Sequence, residues 1–245
     1  MIAVMLLLMV AGIGLTQAVS SPNQVTLRWL RLGGLVSISL LTVAGTMSAL
    51  GDSHADSHTA KYLWITFTLM AAAAVGHLML VQLGKRDVQR GLALLLFLAC
   101  VLSLKPSILL SHYLAAGLLG GFLMTMLLGH AYLTAGGDMT QQPFMRLVIM
   151  LMVLLALRAL LSGVMGAWPY LQQETARPQT WNMMLITARY LVGIVVPAIF
   201  LYMIHDCVKR RANQSATGIL YVAGVLIIVG EGIALALIDS TDLPF

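Results

Sequence analysis

Charge is what this chain lacks most: only 9% of its 245 residues are charged and 60% are hydrophobic. A soluble domain carries about 25% charged residues, so this chain could not cover its own surface in water. Hydrocarbon removes that requirement, because helices satisfy their backbone groups internally and apolar side chains need no water. The chain also lacks a polar stretch long enough for a separate soluble module. It reads as a single membrane domain over 1–245.

Cysteine is nearly absent as well. Cys100 and Cys207 lie far apart in different apolar runs. Neither belongs to a CxxC pair or a zinc spacing, which excludes a disulfide framework and a cysteine metal site. No basic patch is interleaved with aromatics, so the net charge of +5 does not indicate nucleic acid. The late apolar runs hold no lysine for a retinal Schiff base, and the loops expected on the cytoplasmic side hold no HxxxH or HxxHH cluster for a diiron centre. No convincing internal repeat supports an inverted-repeat carrier.

What the chain does have is apolar length. Runs bounded by polar or Pro/Gly-containing breaks fall at 2–19, 31–50, 62–84, 91–104, 108–134, 144–170, 183–207 and 217–239. A spanning helix needs about 20 residues, so these runs predict an all-α polytopic transmembrane bundle of about eight spans. The first run lacks a basic n-region and a good cleavage site, and is expected to be a retained helix rather than a signal peptide. With the N-terminus outside, the inner side receives Arg28, Arg31, Lys85, Arg86, Arg90, Arg146, Lys209, Arg210 and Arg211. The outer side receives only Lys61, Lys105 and Arg177. That asymmetry predicts an N-out/C-out protein of a bacterial cytoplasmic (inner) membrane.

Ionisable groups at membrane depth cost about 2.5–3.5 kcal/mol each on insertion scales, so each is a functional candidate. They are His77, His112, His130, Arg158, Arg189, His205 and Glu231. His112 and His130 lie 18 positions apart on the fifth run. Eighteen steps of about 100° return to the same helix face, with a rise of about 27 Å. Same-face histidines at opposite depths suit a cytochrome b-like diheme helix, since neutral imidazole ligates haem iron. Small residues beside them, Ala115 to Gly121 and Ala71 to Gly76, would let a porphyrin approach the backbone.

Depth matching pairs His77 with His130 as ligands of an inner b-type haem. His112 would hold an outer haem, with a partner from His54 or His58 in the loop Asp52–His58. Arg189 would face a haem propionate. His54 and His58 are alternatively a site for Zn²⁺ or Cu²⁺. The word Leu128-Gly129-His130-Ala131-Tyr132 stands out, with haem ligation as its only evident role. His205, beside Asp206, reads as a solvated helix end. Arg158 and Glu231 share a mid-membrane depth and are expected to form a buried structural ion pair. The sixteen methionines show no repeated face and read as packing or lipid-facing residues.

These features predict a membrane-embedded electron-transfer protein that binds haem b. It would exchange electrons with quinone or with other membrane or periplasmic redox subunits, the cofactor owning the chemistry. A small-solute or metal-ion transporter working through Arg158 and Glu231 is the first alternative. A non-catalytic assembly subunit of a larger membrane complex is the second.

Overall fold

The computed structural model describes residues 2–20, 25–51, 57–83, 88, 91–95, 97–98, 109–134, 140–171 and 180–241. Among the described residues the regular structure is helical, with no strand. The helices are α1 (Ile2–Val19), α2 (Leu27–Gly51), α3 (Ser57–Gln82), α4 (Leu109–Thr134) and α5 (Gln142–Leu171). They continue with α6 (Thr180–Tyr190), a π-helical turn (Leu191–Val195), α7 (Val196–Lys209) and α8 (Asn213–Thr241). Among the described residues six helices are long and apolar enough to cross a membrane: Ile2–Val19, Leu27–Ser48, Leu110–Thr134, Gln142–Met165, Met183–Lys209 and Asn213–Ile238. In α3 the described apolar stretch is Met70–Gln82. The expected run 91–104 is described only at 91–95 and 97–98, all helical; the rest lies outside the described residues.

Helix α4 is the axis of the bundle. Of its spanning window, 72% is buried inside the protein, against 28–50% in the other five. It packs on α1, α2, α5 and α8, whereas α3 packs on α2. Small residues set how close its neighbours come. A Cβ added to Gly12 of α1 would collide with the Ala116 carbonyl, and one added to Gly120 would collide with the Gly12 backbone. This is the small-residue contact that lets membrane helices gain van der Waals energy where hydrophobic burial contributes little.

Polar groups in this tight region are satisfied locally. Thr16 and Thr125 donate to the carbonyls of Gly12 and Gly121, each 2.7 Å away on its own helix. Trp29 Nε1–H donates to the Met124 carbonyl at 2.9 Å, and Gln17 Nε2 donates to the Leu30 carbonyl at 3.0 Å. Trp29 is fully buried, and that anchor explains why α2 begins at Leu27 rather than at 31. The Thr26 hydroxyl accepts from the Trp29 amide at 3.3 Å, in the manner of an N-cap. Arg28 and Arg31 therefore sit exposed on the first turns of α2.

The other helix ends follow local chemistry. Pro143 lies in the first turn of α5, where its missing N–H has no intrahelical partner to lose. The α7–α8 connection is a Schellman turn: Ala212 N–H reaches the Cys207 carbonyl at 2.8 Å and Arg211 N–H reaches the Val208 carbonyl at 3.0 Å. Its left-handed position is filled by Arg211, with φ 59°, where glycine is usual. At the far end of α4, Tyr132 stacks on Phe144 with ring centroids 5.3 Å apart. Gly129 is pressed there against Thr217 and Phe144, and Leu128 is fully buried. The word around His130 thus has a packing role, joining α4 to the starts of α5 and α8.

Candidate functional site

Glu231 of α8 is fully buried and holds two arginines from two other helices. Arg158 of α5 grips it side-on, with Nη2 2.7 Å from Oε2 and Nε 3.2 Å from Oε1. Arg189 of α6 donates from Nη2 to Oε1 at 2.9 Å. Arg158 Nη1 donates to Ser111 Oγ of α4 at 2.6 Å. Three helices therefore meet on one carboxylate, and a fourth, α4, joins through Ser111. Arg158 and Arg189 are 1% and 0% exposed, which puts the whole cluster out of reach of bulk water.

The local sequence shows why Arg189 reaches inward. Gly193 lies one turn beyond it, and Gly230 directly precedes Glu231. A Cβ on Gly193 would stand 2.8 Å from the Gly230 Cα and 2.6 Å from Arg189 Nη1. The two glycines therefore let α8 approach the π-helical turn backbone to backbone, and they leave the space the guanidinium fills. The π turn itself has a cause two residues on. Pro197 has no N–H and its ring crowds the carbonyl four residues earlier, so a tight α turn is disfavoured there. The preceding turn widens instead, with the Val196 N–H bonded to the Leu191 carbonyl. Single wide turns of this kind recur at functional sites.

The cluster lies at one level of the bundle. Arg158 and Glu231 are each seven residues from the end of their span, and Arg189 is six from the start of its own. At 1.5 Å per residue that is about 10 Å inside the helix ends on the α4 N-terminal side. Sequence depth alone set Arg158 and Glu231 near mid-span and Arg189 closer to the edge. Antiparallel packing brings all three together.

Charge and hydrogen bonding do not balance here. Two guanidinium groups face one carboxylate, an excess of one positive charge. Arginine cannot escape by losing its proton. All three nitrogens of the Arg158 guanidinium are bonded, but Nε and Nη1 of Arg189 have no hydrogen-bond partner among the described residues. Two neighbours share that condition. Among the described residues, His112, next to Ser111, is buried with Nδ1 unpartnered, and Ser162, one turn beyond Arg158, has an unpartnered Oγ. The Ser162 carbonyl accepts from the Tyr190 hydroxyl at 2.7 Å, which ties it to the residue after Arg189. Each buried donor left unmade costs about 1–3 kcal/mol, more at a charged group.

The histidines are distributed differently from their expected pairing. His77 is buried on α3 near Gly34 of α2, where an added Cβ would come within 3.4 Å of its Nδ1. His130 is exposed at the far end of α4. Among the described helices α3 packs on α2, whereas His130 lies on α4. His112 and His130 share a helix angle, yet one is buried and the other is not, because angle fixes direction and not what covers it. Arg189, expected to face a haem propionate, has the carboxylate of Glu231 beside it instead. His54 lies outside the described residues; His58 is in the first turn of α3, with its side chain outside them. Among the described residues no group of three or more His, Cys, Asp or Glu could hold a metal ion. Cys207 is a free, half-buried thiol.

Sequence reasoning missed Ser111, Ser162, Tyr190, Gly193 and Gly230. Two signals pointed to the glycines: Gly230 adjoins an intramembrane glutamate, and Gly193 lies four residues after an intramembrane arginine. Comparison with protein-family models, with curated proteins and with solved structures returns no match.

Proposed function

We propose that this chain is an integral protein of a bacterial cytoplasmic membrane, eight-spanning and N-out/C-out, that transports a small solute through the Arg158–Glu231–Arg189 centre. One observation carries the reading: a charged cluster shared by four apolar helices that leaves buried donors unused. A cluster serving packing alone gains nothing from unbonded guanidinium nitrogens, which are costly in a low-dielectric interior. The π turn and Pro197 beside it supply a helix segment whose hydrogen bonds are already rearranged. The orientation rests on the basic residues expected on the inner side.

Reconstitution into proteoliposomes tests the proposal with a panel of labelled or fluorescently detected solutes. Flux above empty vesicles is expected, falling more than tenfold in Glu231→Gln protein that still elutes as a single species. Equal flux through wild type and variant removes the role of the centre. No flux for any solute removes the transport reading.

A second reading, electron transfer through haem b with quinone as the partner, draws on one feature: the buried His112 has a free imidazole nitrogen. An absorption spectrum of the detergent-solubilised protein separates the two readings. A Soret band lost in His112→Ala supports the haem, and its absence from protein produced with ample haem ends that reading.

A further inference from the structure

We infer that the Arg158–Glu231–Arg189 centre binds a small monovalent anion, halide-sized or a short monocarboxylate, through Arg189 and its neighbours His112 and Ser162. The inference rests on the transport reading for its place in the protein, but its evidence is the charge and donor count of the site. Among the described residues, one carboxylate between two permanently charged guanidinium groups leaves a single positive charge within a region that water barely touches. A buried charge persists only when paired. One monovalent anion closes that balance, whereas a divalent anion would overshoot it. The same excess repels metal cations, which turns the substrate class away from the cations expected of the Arg158/Glu231 alternative.

The hydrogen-bond inventory points the same way. Arg189 offers unbonded Nε–H and Nη1–H groups, both donors that accept nothing. The Ser162 hydroxyl can donate or accept, and His112 Nδ1 donates in one tautomer. These residues are adjoined by bonds already described: Ser111 precedes His112 and receives Arg158, and Tyr190 follows Arg189 and reaches Ser162. Ser162 and Arg189 are both fully buried and His112 is 4% exposed. Glycines 193 and 230 keep side-chain atoms away from the Nη1 flank.

Glu231 is then the anion's competitor as well as the arginines' anchor. With the carboxylate present the site holds one anion; with it neutralised the site carries two positive charges and holds an anion more tightly. That sign is opposite to what loss of a merely structural ion pair produces.

The test uses full-length protein purified in an uncharged detergent with gluconate as the only anion, titrated with chloride, with formate and with sulfate. Saturable binding is followed by calorimetry and by the midpoint of thermal unfolding. Chloride or formate should bind and raise the midpoint, and sulfate should not. Arg189→Gln should weaken chloride binding at least tenfold, with Ser162→Ala causing a smaller loss at unchanged unfolding midpoint in gluconate. Glu231→Gln should strengthen binding at least threefold; if that variant does not fold, Arg189→Lys, which keeps charge but loses donors, should fall between wild type and Arg189→Gln. No saturable binding of chloride or formate overturns the inference, and so does binding unchanged in Arg189→Gln. Anion binding without flux in proteoliposomes leaves the inference standing and removes transport. Flux of a neutral or cationic solute without anion binding does the reverse.

Discussion

Arg158 and Arg189 donate to the same oxygen of Glu231, Oε1, from 3.2 Å and 2.9 Å. They come from two other spanning helices, so this one atom locks three segments of the chain. A carboxylate shared in this way is worth more to the bundle than either arginine. Removing it strands two charges, whereas removing one arginine leaves a balanced pair.

That asymmetry sets an order of stability. Glu231→Gln should be the most damaging change in the centre, at about 3–5 kcal/mol, the cost of leaving a buried charge uncompensated. Arg158→Met should follow, because it breaks three hydrogen bonds. Arg189→Met should be mildest, since it also removes the excess charge. Unfolding midpoints of the three purified variants would check the ranking, and a most stable Glu231→Gln would refute it.

Glycine substitutions should divide sharply by position. Gly230→Ala and Gly12→Ala put a Cβ against a neighbouring backbone that cannot yield, so each should cost about 1–3 kcal/mol or more. Gly163→Ala and Gly218→Ala meet nothing within 4 Å and lie within helices. They should be neutral or stabilise by about 0.5–1 kcal/mol. Thermal unfolding in detergent distinguishes the two groups.

Trp29 ties α2 to α4 through both its ring and its Nε1–H. Trp29→Phe should cost about 1–3 kcal/mol from the lost hydrogen bond and the space left by the smaller ring. Trp29→Ala should cost about 3–5 kcal/mol. Equal unfolding midpoints for Trp29→Phe and wild type would show that the bond to the Met124 carbonyl contributes nothing.

Arg211 occupies a left-handed position that disfavours any side chain with a Cβ, by roughly 1–2 kcal/mol. Arg211→Gly should therefore stabilise the α7–α8 turn by up to about 1 kcal/mol, although it removes one basic residue from that end. A raised unfolding midpoint is the expected result. A lowered one would mean that the charge matters more than the backbone.

Much of the architecture was readable along the chain. Six of the apolar runs fall on described helices long and apolar enough to cross a membrane, because lipid-length burial demands about 20 apolar residues in sequence. The boundary at Leu27 was missed because Arg28 and Arg31 look like loop residues until Trp29 is seen to anchor the turn. Arg158 and Glu231 were singled out as intramembrane charges of matching depth. Arg189 was singled out too, but for a different partner.

Composition and periodicity therefore determined by themselves that the chain is helical and built for an apolar solvent, and which few residues are too polar to be there by accident. Those properties are local, set by each residue's own transfer energy and by the helical repeat. Which polar residues meet was decided only by tertiary packing. The antiparallel order of the helices, the backbone contact of Gly193 with Gly230 and the wide turn before Pro197 bring Arg189 to Glu231. The same packing buries His112 and leaves His130 exposed. Contacts between distant segments depend on what covers each face, and the identity of one residue does not carry that information.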